Sequence, residues 1–550
     1  MDRDLRAMSA RWVASIGELG VAAHAFSRAG LLTPLRPDRL LRMGRALRQW
    51  GSTMAGGFVA NAARYPDRVA VVDELGPVTF EALNRRGNAL AHGLLGAGIS
   101  EGTTVAVMCR NHRGFVEITT ALAKLGANTL YLNTGFSAPQ LRAVVEREEA
   151  ASIVFDQEFA ALLDGVGPDV SRFVAWHDLP TSSRTLDALM LGGDESEPPV
   201  PSSPGRTIIL TSGTTGSPRG VPRAQTGGVG PAVALLSVLP LRSGETTVIA
   251  APLFHSWGFG HLALALLLGS TVVLRQQFDP VGTLEAVDRH QATVLAAVPV
   301  MLQRMLDILE DTRRTLDTSS LRAVVVSGSS LPGGLAHRFM DVFGDVLYNL
   351  YGSTEVAYAT VATPEDLRAR PGTAGRPLRG ATVAVWDAHR HPVPPGKQGR
   401  IWVGNELLFE GYTGGGTAPT GEGLMSSGDV GHVDADGRLF VEGRADDMIV
   451  SGGENVFPEE VEHLLTEHEA VAEAAVVGVP DEEFGQRLKA FVVRRPAAQL
   501  TPDAVRAYVR SNLARYKVPR DVEFVESLPR NLTGKVLRRE LREPRQTGEG

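Results

Sequence analysis

Residues 211–220 read Thr211-Ser212-Gly213-Thr214-Thr215-Gly216-Ser217-Pro218-Arg219-Gly220, directly after the apolar run Ile208–Leu210. Small residues leave backbone N–H groups uncovered, hydroxyls add short donors, and Arg219 adds a cation. A loop of this kind at a strand end can wrap the oxygens of a polyphosphate. It lacks the Gly-x-x-x-x-Gly-Lys-Ser/Thr spacing of the commonest phosphate loop, and its composition alone also describes a flexible linker. Cys109 is the sole cysteine. That excludes an internal disulfide framework and a multi-cysteine metal site, fits a reducing, cytoplasmic setting, and makes Cys109 a core residue beside Val105–Met108.

The elements that must position such a loop follow from apolar periodicity. Short apolar runs at Val69–Val72, Thr104–Cys109, Ser152–Phe155, Arg206–Leu210, Thr247–Ala250, Thr271–Leu274, Thr293–Ala296 and Ala323–Ser327 alternate with helical stretches such as Thr79–Leu95 and Gly114–Leu125. This pattern predicts an α/β fold with largely parallel strands, whose carboxyl-end loops are the usual ligand site. From Gly372 to Glu442 short alternating strands predict a small β-barrel lobe. After Gly443 strand and helix resume, with helices at Pro458–Thr466 and Pro502–Leu513.

At 550 residues the chain is long enough for two or three lobes. The expected division is a helical extension at 1–50, a large domain at 51–443, a hinge at 444–447, a small domain at 448–543 and a polar tail at 544–550. A net charge of −7 argues against a nucleic-acid partner. The N-terminus has no secretory-signal pattern, and the longest apolar run, Leu262–Leu268 with Val272–Leu274, is too short for a bilayer span and reads as a buried helix leading into a strand. The first fifty residues carry nine arginines against four acids, with Leu40, Leu41, Met43 and Leu47 at helical spacing. Such a helix packs on the enzyme's own surface or touches membrane peripherally.

Five further motifs follow the phosphate loop in order: Tyr351-Gly352-Ser353-Thr354-Glu355, Ser426-Ser427-Gly428-Asp429, Gly443-Arg444-Ala445-Asp446-Asp447-Met448-Ile449, Ser451-Gly452-Gly453-Glu454-Asn455 and Pro529-Arg530-Asn531-Leu532-Thr533-Gly534-Lys535. Together these motifs resemble the superfamily of acyl-CoA synthetases, luciferases and non-ribosomal adenylation domains, over about Phe58 to Leu541. The resemblance implies a large domain of two doubly wound sheets plus the β-barrel lobe, followed by a smaller, mobile α+β domain. It implies ATP, Mg²⁺ and coenzyme A as cofactors, and a carboxylic acid as substrate.

Site residues carry over in the same way. Thr211, Ser212, Gly213, Thr214, Thr215, Gly216 and Arg219 would bind ATP phosphates, Thr354 the α-phosphate, and Glu355 the Mg²⁺. Tyr351 would stack on adenine against Gly328, Ser329 and Ser330, with Asn349, Gly352 and Ser353 alongside. Asp429, supported by Arg444, would hold the ribose hydroxyls. Lys535 would bridge the substrate carboxylate and the α-phosphate. Rotation about Asp446 would then withdraw Lys535 and bring in Ser451, Gly452, Gly453 and Glu454 to line a CoA tunnel. His255 would sit at the mouth of an acyl pocket walled by Trp257, Gly258, Phe259, Val298, Val300, Ser327 and Val356. Two departures stand out: Arg219 where lysine is usual, and Ser427 where threonine is common.

The entry stretch Phe254–Gly258 has no acid to pair with an amino acid's ammonium group, and no carrier domain follows Leu541. Asp429 follows Glu355 by 74 positions, with no obvious insertion of the kind typical of ligases that deliver to a carrier protein. CoA is therefore the expected acceptor, with a carrier protein as the alternative. A non-enzymatic nucleotide binder would be expected to lack Lys535, Glu355 or Asp429, and all three are present. The apolar pocket wall favours a hydrophobic acid: a medium- or long-chain fatty acid first, a bulky aromatic or terpenoid acid next. If the chain oligomerises, a homodimer is the expected form.

Overall fold

The computed structural model describes residues 20–211, 218–223, 229–312, 316–451, 454–481, 485–496, 498–531 and 534–542. Two largely parallel sheets frame the large domain. The first has six strands in the order Ser171–Trp176, Ser152–Asp156, Thr104–Met108, Asn128–Tyr131, Thr207–Thr211, Arg219–Arg223, and only the last runs antiparallel to its neighbour. The second has nine. Its six central strands, Leu347–Tyr351, Ala323–Val326, Val294–Ala297, Thr246–Ile249, Thr271–Val273 and Val69–Asp73, are parallel, and short antiparallel strands close both edges. Ala323–Val326 and Val294–Ala297 are buried at every position, as continuous apolar strands covered on both faces must be.

The helices lie where apolar periodicity puts them. Thr79 caps Phe80–Gly96 by accepting the Ala82 N–H. The apolar run at 262–268 is the end of the buried helix Ser256–Leu268, which stops at Gly269 in the left-handed conformation and leads into Thr271–Val273.

The β-rich lobe is a five-stranded antiparallel sheet of Thr382–Trp386, Gly399–Gly404, Leu424–Val433, Thr420–Gly421 and Leu439–Arg444. Its core also takes in Val221 and Val356. The last sheet, built on Val471–Asp481 and Gly485–Arg494, encloses a separate core of Ile449, Val461, Val476, Leu488 and Val505 beneath helices Pro458–Thr466 and Pro502–Asn512.

Before the first strand, helix Pro37–Trp50 lies on Met54–Arg64. The contact face differs from the leucine-rich one expected. Ala46 and Trp50 are buried with Met43 packed beside them, because the small alanine admits close approach and the indole covers the most apolar area. Leu40, Leu41 and Leu47 are left 51%, 66% and 43% exposed. No helix among the described residues is long and apolar enough to cross a membrane.

Candidate active site

The parallel strands of the nine-stranded sheet deliver most of the expected site at their carboxyl ends. Val294–Ala297 runs into Val298 and Val300, Ala323–Val326 into Ser327–Ser330, and Leu347–Tyr351 into Gly352–Glu355. The register pairs Ala297 with Val326 and Val326 with Asn349, so acyl-wall and adenine-face residues leave adjacent strands side by side. Asn349 is as buried as Asp429, and its amide donates to the Thr373 carbonyl at 3.4 Å.

The residues expected at the ribose are cross-linked. Tyr351 Oη donates to Asp429 Oδ2 at 2.6 Å, and Arg444 Nη1 lies 3.4 Å from Oδ1 and donates to the Ser427 carbonyl at 3.2 Å. The Asp429 N–H donates to Ser427 Oγ at 3.1 Å, so serine supplies the hydroxyl at the position where threonine is common. Burial raises the Asp429 carboxyl above its ordinary range, while Arg444, the Tyr351 hydroxyl and Lys535 pull against that rise. The Tyr351 phenol is pushed well up by burial and by the Asp429 charge, which keeps it a donor. Arg444 also reaches 4.0 Å from exposed Asp446, linking the ribose carboxylate to the expected hinge.

At the phosphate end, Thr211 faces Arg219 across the hairpin, and its hydroxyl donates to the Arg219 carbonyl at 3.4 Å. Ser212, Gly213, Thr214, Thr215 and Gly216 lie outside the described residues. Thr354 is buried, and the Ser353 hydroxyl accepts the N–H groups of Glu355 and Val356 at 3.2 Å each, which turns the chain at the acid. One Glu355 oxygen accepts from Tyr412 Oη at 3.1 Å. No described hydrogen bond occupies the other, so a hard oxygen donor is open to a divalent cation. The Tyr412 phenol is pushed up to about 12, first by burial and then by the Glu355 charge.

Lys535 enters from the small domain. Its tight hairpin is closed by Gly534 N–H to Asn531 O and Lys535 N–H to Asn531 Oδ1, at 2.9 and 2.8 Å. Gly534 sits at φ +79°, and a Cβ there would come 2.6 Å from Val300 Cγ1. The hairpin therefore presses on the acyl wall, and Lys535 is close enough for its charge to act on Asp429. Ser330 Oγ and His463 Nε2, 2.8 Å apart, join the adenine-face turn to the small domain. Ser451 and Glu454 pair with each other in a strand hairpin of the small domain's own sheet, and Gly452 and Gly453 lie outside the described residues.

The acyl wall is only partly as expected. Trp257 Nε1 donates to the Ala297 carbonyl at 2.9 Å, fixing the indole beside Val298, while Gly258 is tight enough that a Cβ would meet the Pro252 carbonyl at 2.2 Å. Phe259, two residues after Trp257, packs against a different core, its ring centroid 5.1 Å from that of buried Tyr131. Val356 is fully buried in the β-lobe core, which the hydrophobic effect favours over lining an open pocket. His255 caps helix Ser256–Leu268, its Nδ1 facing the Trp257 N–H at 3.5 Å; burial lowers it to about 4, so the ring is neutral near pH 7.

Three contributors escape the motif reading: Tyr412, Arg223, which donates to the Thr354 and Leu407 carbonyls, and His463. Only the aromatic in Gly411-Tyr412, beside a glycine run, hints at the first. The cluster Cys109, His112 and Asp156 has metal-like spacing. It is structural: His112 Nε2 donates to Asp156 at 2.8 Å, Nδ1 accepts the Gly114 N–H, and all three side chains are buried.

Comparison with known proteins agrees with this geometry. Residues 58–413 match the AMP-binding enzyme family, and 460–535 match the AMP-binding enzyme C-terminal domain. The chain is 34% identical to a feruloyl-CoA synthase from an Amycolatopsis species, over 88% of this chain and 97% of that protein. It is 31% identical to a fatty acid–[acyl-carrier-protein] ligase of Streptomyces coeruleorubidus, over 88% and 94%. Among solved structures, o-succinylbenzoate CoA synthetase from Bacillus subtilis, in complex with its acyl-adenylate intermediate, superposes with a TM-score of 0.78 at 29% identity, covering 89% of this chain and 98% of that one. The same synthetase is also known with ATP and a magnesium ion. Family match, fold and site geometry agree: the chain belongs to the AMP-binding, adenylate-forming enzymes and is an AMP-forming acid–CoA ligase of that family, using ATP, Mg²⁺ and CoA.

Proposed function

We propose that this enzyme activates a hydrophobic carboxylic acid, an aromatic one ahead of a fatty one, and passes the acyl group to CoA. The observation that carries the acid is Trp257, braced on the Ala297 carbonyl with its ring centroid 4.4 Å from that of His261 in an edge-on pair. A fixed aromatic ring suits a flat, uncharged ring better than a long flexible chain.

In the first half-reaction a carboxylate oxygen of the acid attacks the α-phosphorus of ATP, and the bond to pyrophosphate breaks. Lys535 neutralises the two approaching anions, Thr354 hydrogen-bonds the α-phosphate, and Asp429 holds the ribose. Glu355 supplies the open oxygen for Mg²⁺, which when bound neutralises phosphate charge. Rotation about 444–447 then removes Lys535. In the second half-reaction the CoA sulfur attacks the acyl carbonyl, releasing AMP and a proton, with the hairpin at 451–454 lining its approach. Residues 51–443 and 448–543 act as the two moving bodies.

A panel of benzoate, cinnamate and C8–C16 fatty acids, followed by AMP release with and without CoA, tests this reading. We expect aromatic acids to exceed fatty acids in kcat/KM by about ten-fold or more. Preference for a fatty acid would move the substrate and leave the chemistry, and AMP release unaffected by CoA would point to a carrier-protein acceptor.

The N-terminal extension is read as a peripheral contact with an anionic bilayer. Exposed Leu40, Leu41 and Leu47 alternate with Arg42, Arg45 and Arg48 on the outer side of Pro37–Trp50, offering apolar insertion and headgroup pairing together. Two copies meeting at this helix would oppose like charges. Sedimentation with phosphatidylglycerol vesicles, lost in a Leu40→Ser/Leu41→Ser/Leu47→Ser variant, would support it, and equal sedimentation of both proteins would contradict it.

A further inference from the structure

We infer that Tyr412 is a positioning residue for the metal and phosphate step: its hydroxyl orients the Glu355 carboxylate and its ring seats the Arg219 guanidinium beside it. The inference rests on Glu355 as the carboxylate that holds Mg²⁺, and extends the site to the β-rich lobe.

Three segments far apart in sequence converge here: the loop after Tyr351, the returning strand Arg219–Arg223 of the phosphate-loop hairpin, and the turn at 405–413. Contacts that do not involve Tyr412's side chain hold them together. The Phe409 N–H donates to the Glu355 carbonyl and the Thr413 N–H to the Gly220 carbonyl, each at 2.9 Å, and Arg223 clamps the carbonyls of Thr354 and Leu407. Tyr412 thus stands on a braced turn between the acid and the arginine, with the Phe409 ring edge-on at 4.7 Å.

From there its two ends do different things. The hydroxyl meets Glu355 Oε1 at 3.1 Å and so leaves the second carboxylate oxygen pointing elsewhere with one rotamer favoured. Carboxylates that bind metal are commonly held in this way by a hydrogen bond from behind. The ring face lies 5.2 Å from Arg219 Cζ. A planar, weakly hydrated guanidinium stacks on an aromatic face far better than an ammonium does. The platform accounts for how arginine serves at a position where lysine is usual: the cation is stored next to the metal carboxylate, within reach of the same pyrophosphate.

The test uses calorimetric titration of the full-length enzyme with Mn²⁺·ATP, without acid, alongside metal-free ATP in chelator. Tyr412→Phe keeps ring and packing and removes the donor. It should weaken Mn²⁺·ATP binding about ten-fold, the size of one lost hydrogen bond to a charged group, while metal-free ATP affinity and melting temperature stay as in the wild type. Tyr412→Leu should weaken pyrophosphate binding a further few-fold through loss of the platform. Wild-type Mn²⁺·ATP affinity in Tyr412→Phe overturns the orienting role, and equal pyrophosphate affinity in the Phe and Leu variants overturns the platform. Glu355→Gln separates the two levels. If it loses Mn²⁺·ATP affinity while Tyr412→Phe does not, this inference alone falls. If Glu355→Gln changes nothing, the metal reading of Glu355 falls with it.

Discussion

At one end of the site, Asp429 is buried with Tyr351 on one oxygen and Arg444 at the other, all of it anchored in sheet register between residues 429 and 444. At the other, Lys535 is exposed at the tip of a small-domain hairpin, resting on the large domain where Gly534 meets Val300. In the proposed mechanism the ribose is gripped through both half-reactions, which suits contacts that are cross-linked in advance. In the same mechanism the ammonium serves one half-reaction and would obstruct the other, which suits its place on a separate domain rather than in the core of the large one.

Substitutions at the two ends should therefore fail differently. Lys535→Ala should lower acyl-AMP formation most, about a thousand-fold, read by pyrophosphate release. Asp429→Ala should weaken ATP and AMP binding together by about a hundred-fold, seen by equilibrium titration, because it removes a carboxylate used in both states. Tyr351→Phe, which frees one Asp429 oxygen but leaves Arg444 in place, should cost nucleotide affinity about ten-fold. A loss confined to the first half-reaction in Asp429→Ala would erase the contrast between the ends.

A smaller effect sharpens the comparison near the hinge. Glu459 lies largely buried against Gly443, with its side chain 13% exposed and 3.0 Å from Arg538, and desolvation pushes its carboxyl up to about 7 despite the arginine. An acid whose folded pKa is raised costs stability once the unfolded form ionises, so wild-type stability should fall as pH rises from about 4.5 through about 7. Glu459→Gln should flatten that slope, with a gain on the order of 1 kcal/mol at pH 8 in thermal melts and no gain at pH 4.

Much of this was legible in the chain. The expected strand Ala323–Ser327 is Ala323–Val326 and the expected helix Pro458–Thr466 has those ends, because apolar period and caps are local signals. The motifs around Tyr351, Asp429 and Lys535 are placed by local signals of two kinds: Tyr351 ends one strand, Asp429 lies within another, and Lys535 follows the turn at Gly534. Less legible were partners set by tertiary packing. Leu47 and Ala46 are neighbours on one helix, and only the shape of the opposing surface decides that alanine is buried and leucine exposed. Tyr412 meets Glu355 across 57 positions with no motif to announce it. Val356 follows the Glu355 motif directly yet faces another core, since a turn reverses direction within one residue.

The central claim, that one site is completed by a removable lysine, is tested most directly by measuring the two half-reactions of Lys535→Ala separately. Acyl-AMP formation should be lost while conversion of supplied acyl-AMP and CoA to thioester and AMP stays within about three-fold of wild type. Equal loss of both half-reactions would contradict it.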